Sequence, residues 1–423
     1  MRTIPIFAGL IFLLAACAEE GDRAPTGSAE KRGDITVLRL EGTPYEMGLQ
    51  YGKLVPEGIR DAADVLANDM AYSVIFSYAE TSGLRDMALE HSYPDVLEEC
   101  RGIARGARQA GVDNFAYEDC VTAANLLLIL EQLSSMNPGG CTQFVACEDA
   151  TSDGTMVHAR NMDWGRMQFI IDNPLIIVRR PEGKIPWVEI GIPGVLLTLT
   201  AMNSEGLTVA NNECYCQADR GTEGNSHPQM ARQIMQECTS VDEAEAFLRA
   251  QDHASAEALV ISDGKSGDAA AFEMSATHMG VRRLDENGIV YATNHFAHPE
   301  MAPLHDERPP DHNTNTRFTR LEQLLEPGGA ESLHGRIDAP AAISVLRDRY
   351  NPHTQETHPE DLFSGGGSIA NNSALQSVIM LPEERTFYVA LGEPPVPYRT
   401  FTGFSLDELL EENDVVPDPP QYE

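Results

Sequence analysis

The run Asn137-Pro138-Gly139-Gly140 divides this chain into two unlike stretches. A proline and two glycines in four residues deny the backbone both a helix and a strand, because proline lacks the amide donor and glycine loses most conformational freedom on ordering. Before the break, apolar residues recur at helical spacing over residues 44–70, 84–110 and 117–133, after one alternating strand at 35–40. After it, short β-type runs are joined by the turn dipeptides Asp153-Gly154, Glu182-Gly183, Glu205-Gly206, Asp263-Gly264 and Asn287-Gly288. Such turns predict hairpins and largely antiparallel sheets. Helical patterns interrupt them at 229–237, 241–250, 316–325 and 339–349. Hairpins with intercalated amphipathic helices predict an α+β architecture of two sheets packed face to face, with helices outside.

The ends of the chain read differently. Residues 1–17 carry Arg2, an apolar run too short to span a bilayer, and then Cys17, which is a secretion signal. Leu14-Ala15-Ala16-Cys17 resembles the lipobox of bacterial lipoproteins, which implies acylation of Cys17. Residues 18–34 are small and polar and are expected to form a flexible tether. An exported bacterial lipoprotein at the periplasmic or cell-surface face of a membrane, held by its lipid alone, is the expectation. The tail from Asp407 is acidic, ends in prolines and reads as solvated. Against 65 acidic residues stand 30 Lys and Arg, a net charge of −35. Too few cations remain to neutralise phosphates, which excludes a nucleic-acid partner.

Eight cysteines raise the question of pairing. With Cys17 and Cys141 set aside, six remain for three possible disulfides, and spacing fixes no connectivity. Cys214-Tyr215-Cys216 matches neither zinc nor redox spacing. His295, His298, His305 and His312 lie in a Pro-rich stretch without ligand spacing and read as solvated, so neither a metal nor a cofactor is expected. Gly365-Gly366-Gly367-Ser368 reads as a flexible loop near the site, and Trp164 and Trp187 as core or pocket wall.

Chemistry concentrates just after the break. Cys141 opens the first strand of the β-rich half, Asp153-Gly154 turns the chain, and the returning strand brings Arg160 and Asp163 back toward the thiol. A nearby guanidinium favours the thiolate, and a carboxylate can hold a terminal amine. Gly139-Gly140 minimises bulk at the peptide bond before Cys141.

Gly140-Cys141-Thr142-Gln143 followed by Arg160-Asn161-Met162-Asp163-Trp164 resembles the start of the mature chain in N-terminal-nucleophile hydrolases of the choloylglycine hydrolase and penicillin acyl-coenzyme A acyltransferase group. Three later segments match in order. The stretch from Met202 to Asn212 resembles a hairpin ending in an oxyanion asparagine; Asn212 fits that place best, with Asn211 adjacent. Tyr291-Ala292-Thr293-Asn294-His295 resembles the segment supplying a second asparagine, and Asn315-Thr316-Arg317-Phe318 the one whose arginine packs into the site. The stretch from Leu40 to Gly52 resembles the opening of the acyltransferase-like branch. The resemblance spans residues 38–401 and implies a four-layer α/β/β/α fold, an N-terminal helical chain (35–140), a catalytic chain (141–423) that stays associated with it, and self-cleavage between Gly140 and Cys141.

Elementary chemistry gives the same site a mechanism. The freed α-amine, with an ordinary pKa of about 8, accepts the thiol proton, so one residue is nucleophile and base. Asn212 and Asn294 would stabilise the oxyanion, and water or an amine would resolve a thioester on Cys141. The expected activity is cleavage of a linear N-acyl amide in a small molecule, or transfer of its acyl group. A lipid-directed amidase or phospholipase B-like hydrolase, or an inert binding lipoprotein of the same fold, are the alternatives.

Overall fold

The computed structural model describes residues 27–132, 140–221, 223–306, 308–359, 367–410 and 419–423; Cys17, most of the tether, Gly365 and Gly366 lie outside the described residues. The chain opens with strands β1 (Ser28–Arg32) and β2 (Ile35–Gly42), followed by helices α1 (Pro44–Leu54), α2 (Pro56–Asn68), α3 (Met70–Thr81), α4 (Leu84–His91), α5 (Pro94–Gln109), α6 (Tyr117–Ala124) and α7 (Leu126–Gln132). Beyond Gly140 come β3 (Thr142–Glu148), β4 (Gly154–Asp163), α8 (Gln168–Asp172), β5 (Leu175–Pro181), β6 (Trp187–Gly191), β7 (Thr200–Asn203), β8 (Leu207–Glu213), α9 (His227–Glu237) and α10 (Val241–Arg249). Strands β9 (Glu257–Asp263), β10 (Asp268–Met274), β11 (Met279–Arg283) and β12 (Ile289–Ala292) precede α11 (Asn313–Leu325) and α12 (Ala339–Leu346). The short pair β13 (Tyr350–Asn351) and β14 (Glu356–Thr357), then β15 (Ala374–Leu381), β16 (Thr386–Leu391), β17 (Thr402–Ser405) and α13 (Leu406–Leu409) complete it.

Nine strands form one sheet in the order β1-β2-β5-β6-β7-β8-β9-β10-β11, and six form another in the order β12-β3-β4-β15-β16-β17. Pairing is antiparallel except between β2 and β5. Between the sheets, Val37, Ile176 and Val188 meet Val378, Phe387 and Phe404. Outside the larger sheet, α1, α2, α5 and α6 cover Leu38, Leu40 and Ile177, while α9 and α10 cover Val209, Leu259 and Phe272. Helices α11 and α12 cover Phe144, Ala159 and Ile379 of the smaller sheet. The result is the expected four-layer α/β/β/α sandwich, with both sheet faces buried.

Several expectations change in detail. Part of the presumed tether is ordered: Ser28–Arg32 pairs antiparallel with β2, because the main chain supplies the ladder whatever the side chains are. The expected helices at 44–70 and 84–110 are cut where Pro56 and Pro94 start new helices at the first-turn position proline favours. Asn287-Gly288 closes no hairpin; β11 ends the larger sheet while β12 pairs with β3, so this turn carries the chain between sheets. The tail is partly buried, with Leu406, Leu409 and Leu410 inside the inter-sheet core. Of the six pairing candidates only Cys100 and Cys120 form a disulfide among the described residues, linking α5 to α6.

The N-terminal helices are fastened to the β-rich part in two ways. Gly48 and Gly52 of α1 face Gly102 and Gly106 of α5 so closely that a methyl on Gly48 would lie 2.1 Å from the Glu99 carbonyl oxygen. Glu99 itself, fully buried on α5, pairs with Arg179 of β5 and Arg232 of α9, and Arg179 also meets Glu189 of β6 at 2.8 Å. The Trp187 ring lies 5.3 Å from one guanidinium and 5.8 Å from the other, a core position.

Candidate active site

The β3–β4 hairpin sets Thr142 opposite Asn161 and Gln143 opposite Arg160. That register returns Arg160 and Asp163 to Cys141, as the spacing predicts, and all three are buried. Arg160 donates through Nη2 to Cys141 Sγ at 3.5 Å and to the Asn211 carbonyl, and through Nη1 to Thr200 Oγ1 at 2.5 Å. Asp163 accepts from Asn371 Nδ2 at 2.7 Å through Oδ2, while its buried Oδ1 has no partner among the described residues.

Burial pushes the Asp163 carboxyl up to about 7, against the pull of Arg317, the Asn371 hydrogen bond and Arg160. Burial also pushes the Cys141 thiol up, outweighing Arg160 beside it. The expectation that Arg160 makes a thiolate is therefore corrected, because desolvation of a charged sulfur exceeds the attraction of one guanidinium.

The junction before Cys141 is held from three sides. Asn294 Oδ1, just beyond β12, accepts from the Cys141 backbone N–H at 2.7 Å, and Asn294 Nδ2 donates to the Glu213 carbonyl at 2.8 Å. Arg317 of α11 donates to the Cys141 carbonyl, to Thr142 Oγ1 at 2.9 Å and to Asn294 Oδ1 at 2.8 Å. A Cβ on Gly140 would stand 3.0 Å from Arg317 Nη2 and 3.5 Å from Asp163 Oδ2, so a methyl there would press on the Arg317 guanidinium.

Strand alternation separates the two adjacent asparagines of β8. Asn212 turns between the sheets, where Nδ2 donates to the carbonyls of Ala292 at 3.2 Å and Thr293 at 3.1 Å. Asn211 faces the other way and lines the cavity over Cys141, and neither its Nδ2 nor its Oδ1 has a partner among the described residues. Asn212, preferred from sequence, is thus committed elsewhere, and Asn211 is the one beside the thiol. The cavity holds about 30 Å³ and is walled by Leu127, Met162, Trp164 and Leu199.

Sequence reading missed Glu213, which lines the same cavity with a buried Oε1 that has no partner among the described residues. It stands two residues beyond Asn211 and so shares its strand face; the signal was available once the register was known. Burial pushes its carboxyl up to about 7. Opposite it on β9 stands Glu257, also raised by burial. From α7, Glu131 accepts from the Ala256 N–H at 3.2 and 3.1 Å and is pushed up to about 8 by burial.

The histidines expected in solvent are packed instead. His295 contacts Thr314 Oγ1 at 2.9 Å and the Phe318 ring at 4.9 Å, and burial holds it neutral, down to about 3. Among the described residues no group of His, Cys, Asp and Glu is arranged to hold a metal ion, and no helix is long and apolar enough to cross a membrane.

The chain is similar to several known proteins. A solved Caenorhabditis elegans N-acylethanolamine-hydrolyzing acid amidase ortholog is 17% identical, covering 57% of this chain and 93% of that one with a TM-score of 0.39. Penicillin V acylase from Agrobacterium tumefaciens is 17% identical, covering 64% and 89% at a TM-score of 0.42. A variant of conjugated bile acid hydrolase from Clostridium perfringens is 13% identical, covering 63% and 93% at 0.42. An uncharacterized protein of Archaeoglobus fulgidus is 24% identical over 307 residues, 63% of this chain; the match spans about half, 51%, of that relative. The family described as acyl-coenzyme A:6-aminopenicillanic acid acyl-transferase matches residues 150–395. That match takes in Arg160, Asp163, both asparagines of β8, Asn294 and Arg317 and covers more than half of the sequence, so the chain belongs to the acyl-coenzyme A:6-aminopenicillanic acid acyl-transferase family.

Proposed function

We propose that this protein is an autoproteolytic N-terminal-cysteine amidohydrolase that cleaves a linear N-acyl amide, or passes the acyl group to an amine, through a thioester on Cys141. One observation carries the reading: Asn294 accepts from the Cys141 nitrogen that cleavage would turn into an α-amine, Arg317 donates to the Cys141 carbonyl, Arg160 donates to its sulfur, and Asp163 stands beside Gly140. In processing, Cys141 Sγ attacks the Gly140 carbonyl, the C–N bond breaks as its nitrogen gains a proton, and water hydrolyses the resulting thioester. Asp163, poised near neutrality, relays that proton. Gly140 ends as a carboxylate and Cys141 as thiol and free amine.

In turnover the α-amine takes the thiol proton and the sulfur attacks the substrate carbonyl. Asn294 Nδ2 stabilises the oxyanion; removing such a donor costs on the order of 10²- to 10³-fold in rate. The C–N bond breaks, the amine leaves with the proton, and water or a second amine releases the acyl group. The family's description names an acyl transfer, which suits the second route. Arg160 keeps the developing thiolate electrostatically favoured, and Arg317 fixes the main chain. Trapping tests this: hydroxylamine added during turnover should yield the acyl hydroxamate from wild type and none from Cys141→Ala. Acylation of Cys17 is part of the proposal, checked by labelled palmitate incorporation that Cys17→Ser abolishes.

A second reading, a lipid-directed amidase, draws on α3. Met70, Val74 and Tyr78 are 83%, 61% and 39% exposed along one face, and the buried Ile75 and Ala79 join Cys141 and Trp164 in one apolar cluster. Faster turnover of a vesicle-borne N-acyl lipid than of its soluble short-chain analogue, lost in Val74→Glu, would favour it.

A further inference from the structure

The segment that carries Asp163 also clamps the loop that carries Asn371. On one side of Asp163, Asn161 donates through Nδ2 to the carbonyls of Leu346 at 2.8 Å and Ile369 at 3.3 Å, and its Oδ1 accepts from Ser377 Oγ at 2.6 Å. On the other side, the Trp164 N–H donates to the Ser373 carbonyl at 3.0 Å. The ladder between β4 and β15 shifts register there, with Ala374 opposite Asp163 but Gln376 opposite Met162. Such irregularities re-aim side chains beside functional sites. Asn161 and Trp164 therefore do more than pack: they fix the loop from which Asn371 reaches Asp163.

Ser373 decides which way the Asn371 amide faces. A backbone N–H can only donate, and that of Ser373 donates to Asn371 Oδ1 at 2.9 Å, as does Ser373 Oγ. Nδ2 is thus the end turned to Asp163, and it donates to Oδ2 at 2.7 Å. An amide nitrogen has no lone pair to offer, so Oδ2 is kept as an acceptor. The other oxygen, Oδ1, is buried and has no partner among the described residues. It is the atom that can take up a proton while the bond to Asn371 stays intact.

We propose that Asn371 is a positioning residue for self-cleavage: it confines proton exchange at Asp163 to Oδ1, which takes the proton of the Cys141 thiol and passes it to the Cys141 nitrogen. The sulfur bonds to the Gly140 carbonyl carbon and the carbon–nitrogen bond breaks. One proton leaves sulfur, rests on Oδ1 and ends on nitrogen, so the carboxylate is restored. The inference rests on the assignment of Cys141 as the nucleophile of self-cleavage. The same hydrogen bond favours the ionised form of Asp163, against the burial that disfavours it. The charged and titratable groups facing this carboxyl are Cys141, Arg160 of β4 and Arg317 of α11, and a change at Asn371 alters none of them.

The test times self-cleavage of the newly translated full-length chain on gels, at pH 6 and at pH 8.5. Asn371→Leu should fall behind wild type about five- to tenfold more at pH 6 than at pH 8.5. Without the donor the Asp163 carboxyl rises by about one unit, which costs about tenfold below its midpoint and little above it. A merely structural loss would lower both rates by one factor. Asn371→Asp has the same shape but donates only while it keeps its proton. It should cleave within about threefold of wild type at pH 6 and trail by about tenfold or more at pH 8.5, where two ionised carboxylates would face each other. If the leucine variant does not fold, the aspartate variant alone decides. A wild-type rate in Asn371→Leu, equal losses at the two pH values, or an aspartate variant that matches wild type at pH 8.5 would overturn the inference. A wild-type chain that never yields an N-terminal Cys141 refutes instead the nucleophile assignment beneath it.

Discussion

Replacing Arg179 by Met should loosen the N-terminal helices from the catalytic part more than any other single change on the larger sheet. Arg179 is fully buried and reaches Glu99 on α5 and Glu189 on β6, with Glu99 completed by Arg232. Methionine fills much of the same volume, so the cost comes mainly from charge rather than from a cavity. Glu189 would keep only Thr198 Oγ1 at 2.9 Å, and Glu99 would keep only Arg232. Removing one partner of a buried ion pair costs about 3–5 kcal/mol, because the other charge stays desolvated. In a chain this long that amounts to a fall in melting temperature of about 3–6 °C. The assay is thermal and urea unfolding of the single-chain Cys141→Ala background, with and without Arg179→Met. Adding Glu189→Gln should recover part of the loss, since that stranded charge is gone while Glu99 keeps Arg232. A shift below about 1 kcal/mol, or a double variant worse than the sum of its parts, would count against a buried ion-pair network as the fastening.

Further consequences follow from the site. Gly140→Ala should slow self-cleavage at least tenfold (about 1.4 kcal/mol of barrier), because its methyl meets an Arg317 pinned by Cys141, Thr142 and Asn294; gel-resolved processing kinetics check it. Cys147→Ala should leave processing intact, since Cys147 lies between the sheets with no contact to the junction. Asn212→Ala should lower stability by about 1–3 kcal/mol, read by urea unfolding of the Cys141→Ala chain, because it removes the amide that donates to the Ala292 and Thr293 carbonyls. Asp163 and Glu213 are raised from 3.8 and 4.5 to about 7, and Glu131 from 4.5 to about 8. The folded chain thus holds protons that the unfolded chain releases, and the associated stability is lost as pH rises from about 4 to about 8. Buried His158, His295 and His305, pushed down to about 3, 3 and 4, act in the opposite sense below about 6.5, so Cys141→Ala protein is compared with the same chain carrying Glu213→Gln: the added change should remove stability at pH 5 relative to pH 8.5, and an unchanged pH profile would exclude Glu213 as a protonated acid.

How much of this was legible in the sequence follows the physics of each signal. The hairpin that returns Arg160 and Asp163 to Cys141 needs only a turn dipeptide and a two-residue period, and both are local. Two packed sheets with helices outside follow from the hairpins and the helical runs between them, and the four-layer order came with the family resemblance. Register across distant strands is not local, and it decided between Asn211 and Asn212 and exposed Glu213. Desolvation is likewise collective: whether Arg160 or burial governs the Cys141 thiol depends on everything packed around them. Strand β1 was hidden because its polar residues lie on an edge, where the main chain alone makes the contact. Pairing of Cys100 with Cys120 required the packing of α5 against α6, which no spacing encodes.

The central claim is that Cys141 becomes an N-terminus by the chain's own chemistry. Intact-mass measurement of purified protein, with N-terminal sequencing of its fragments, tests it most directly. The account predicts a fragment comprising residues 141–423 with a free cysteine amine in wild type, and one uncut chain in Cys141→Ala. An uncut wild-type chain that turns over N-acyl amides, or cleavage that persists in Cys141→Ala, would contradict it.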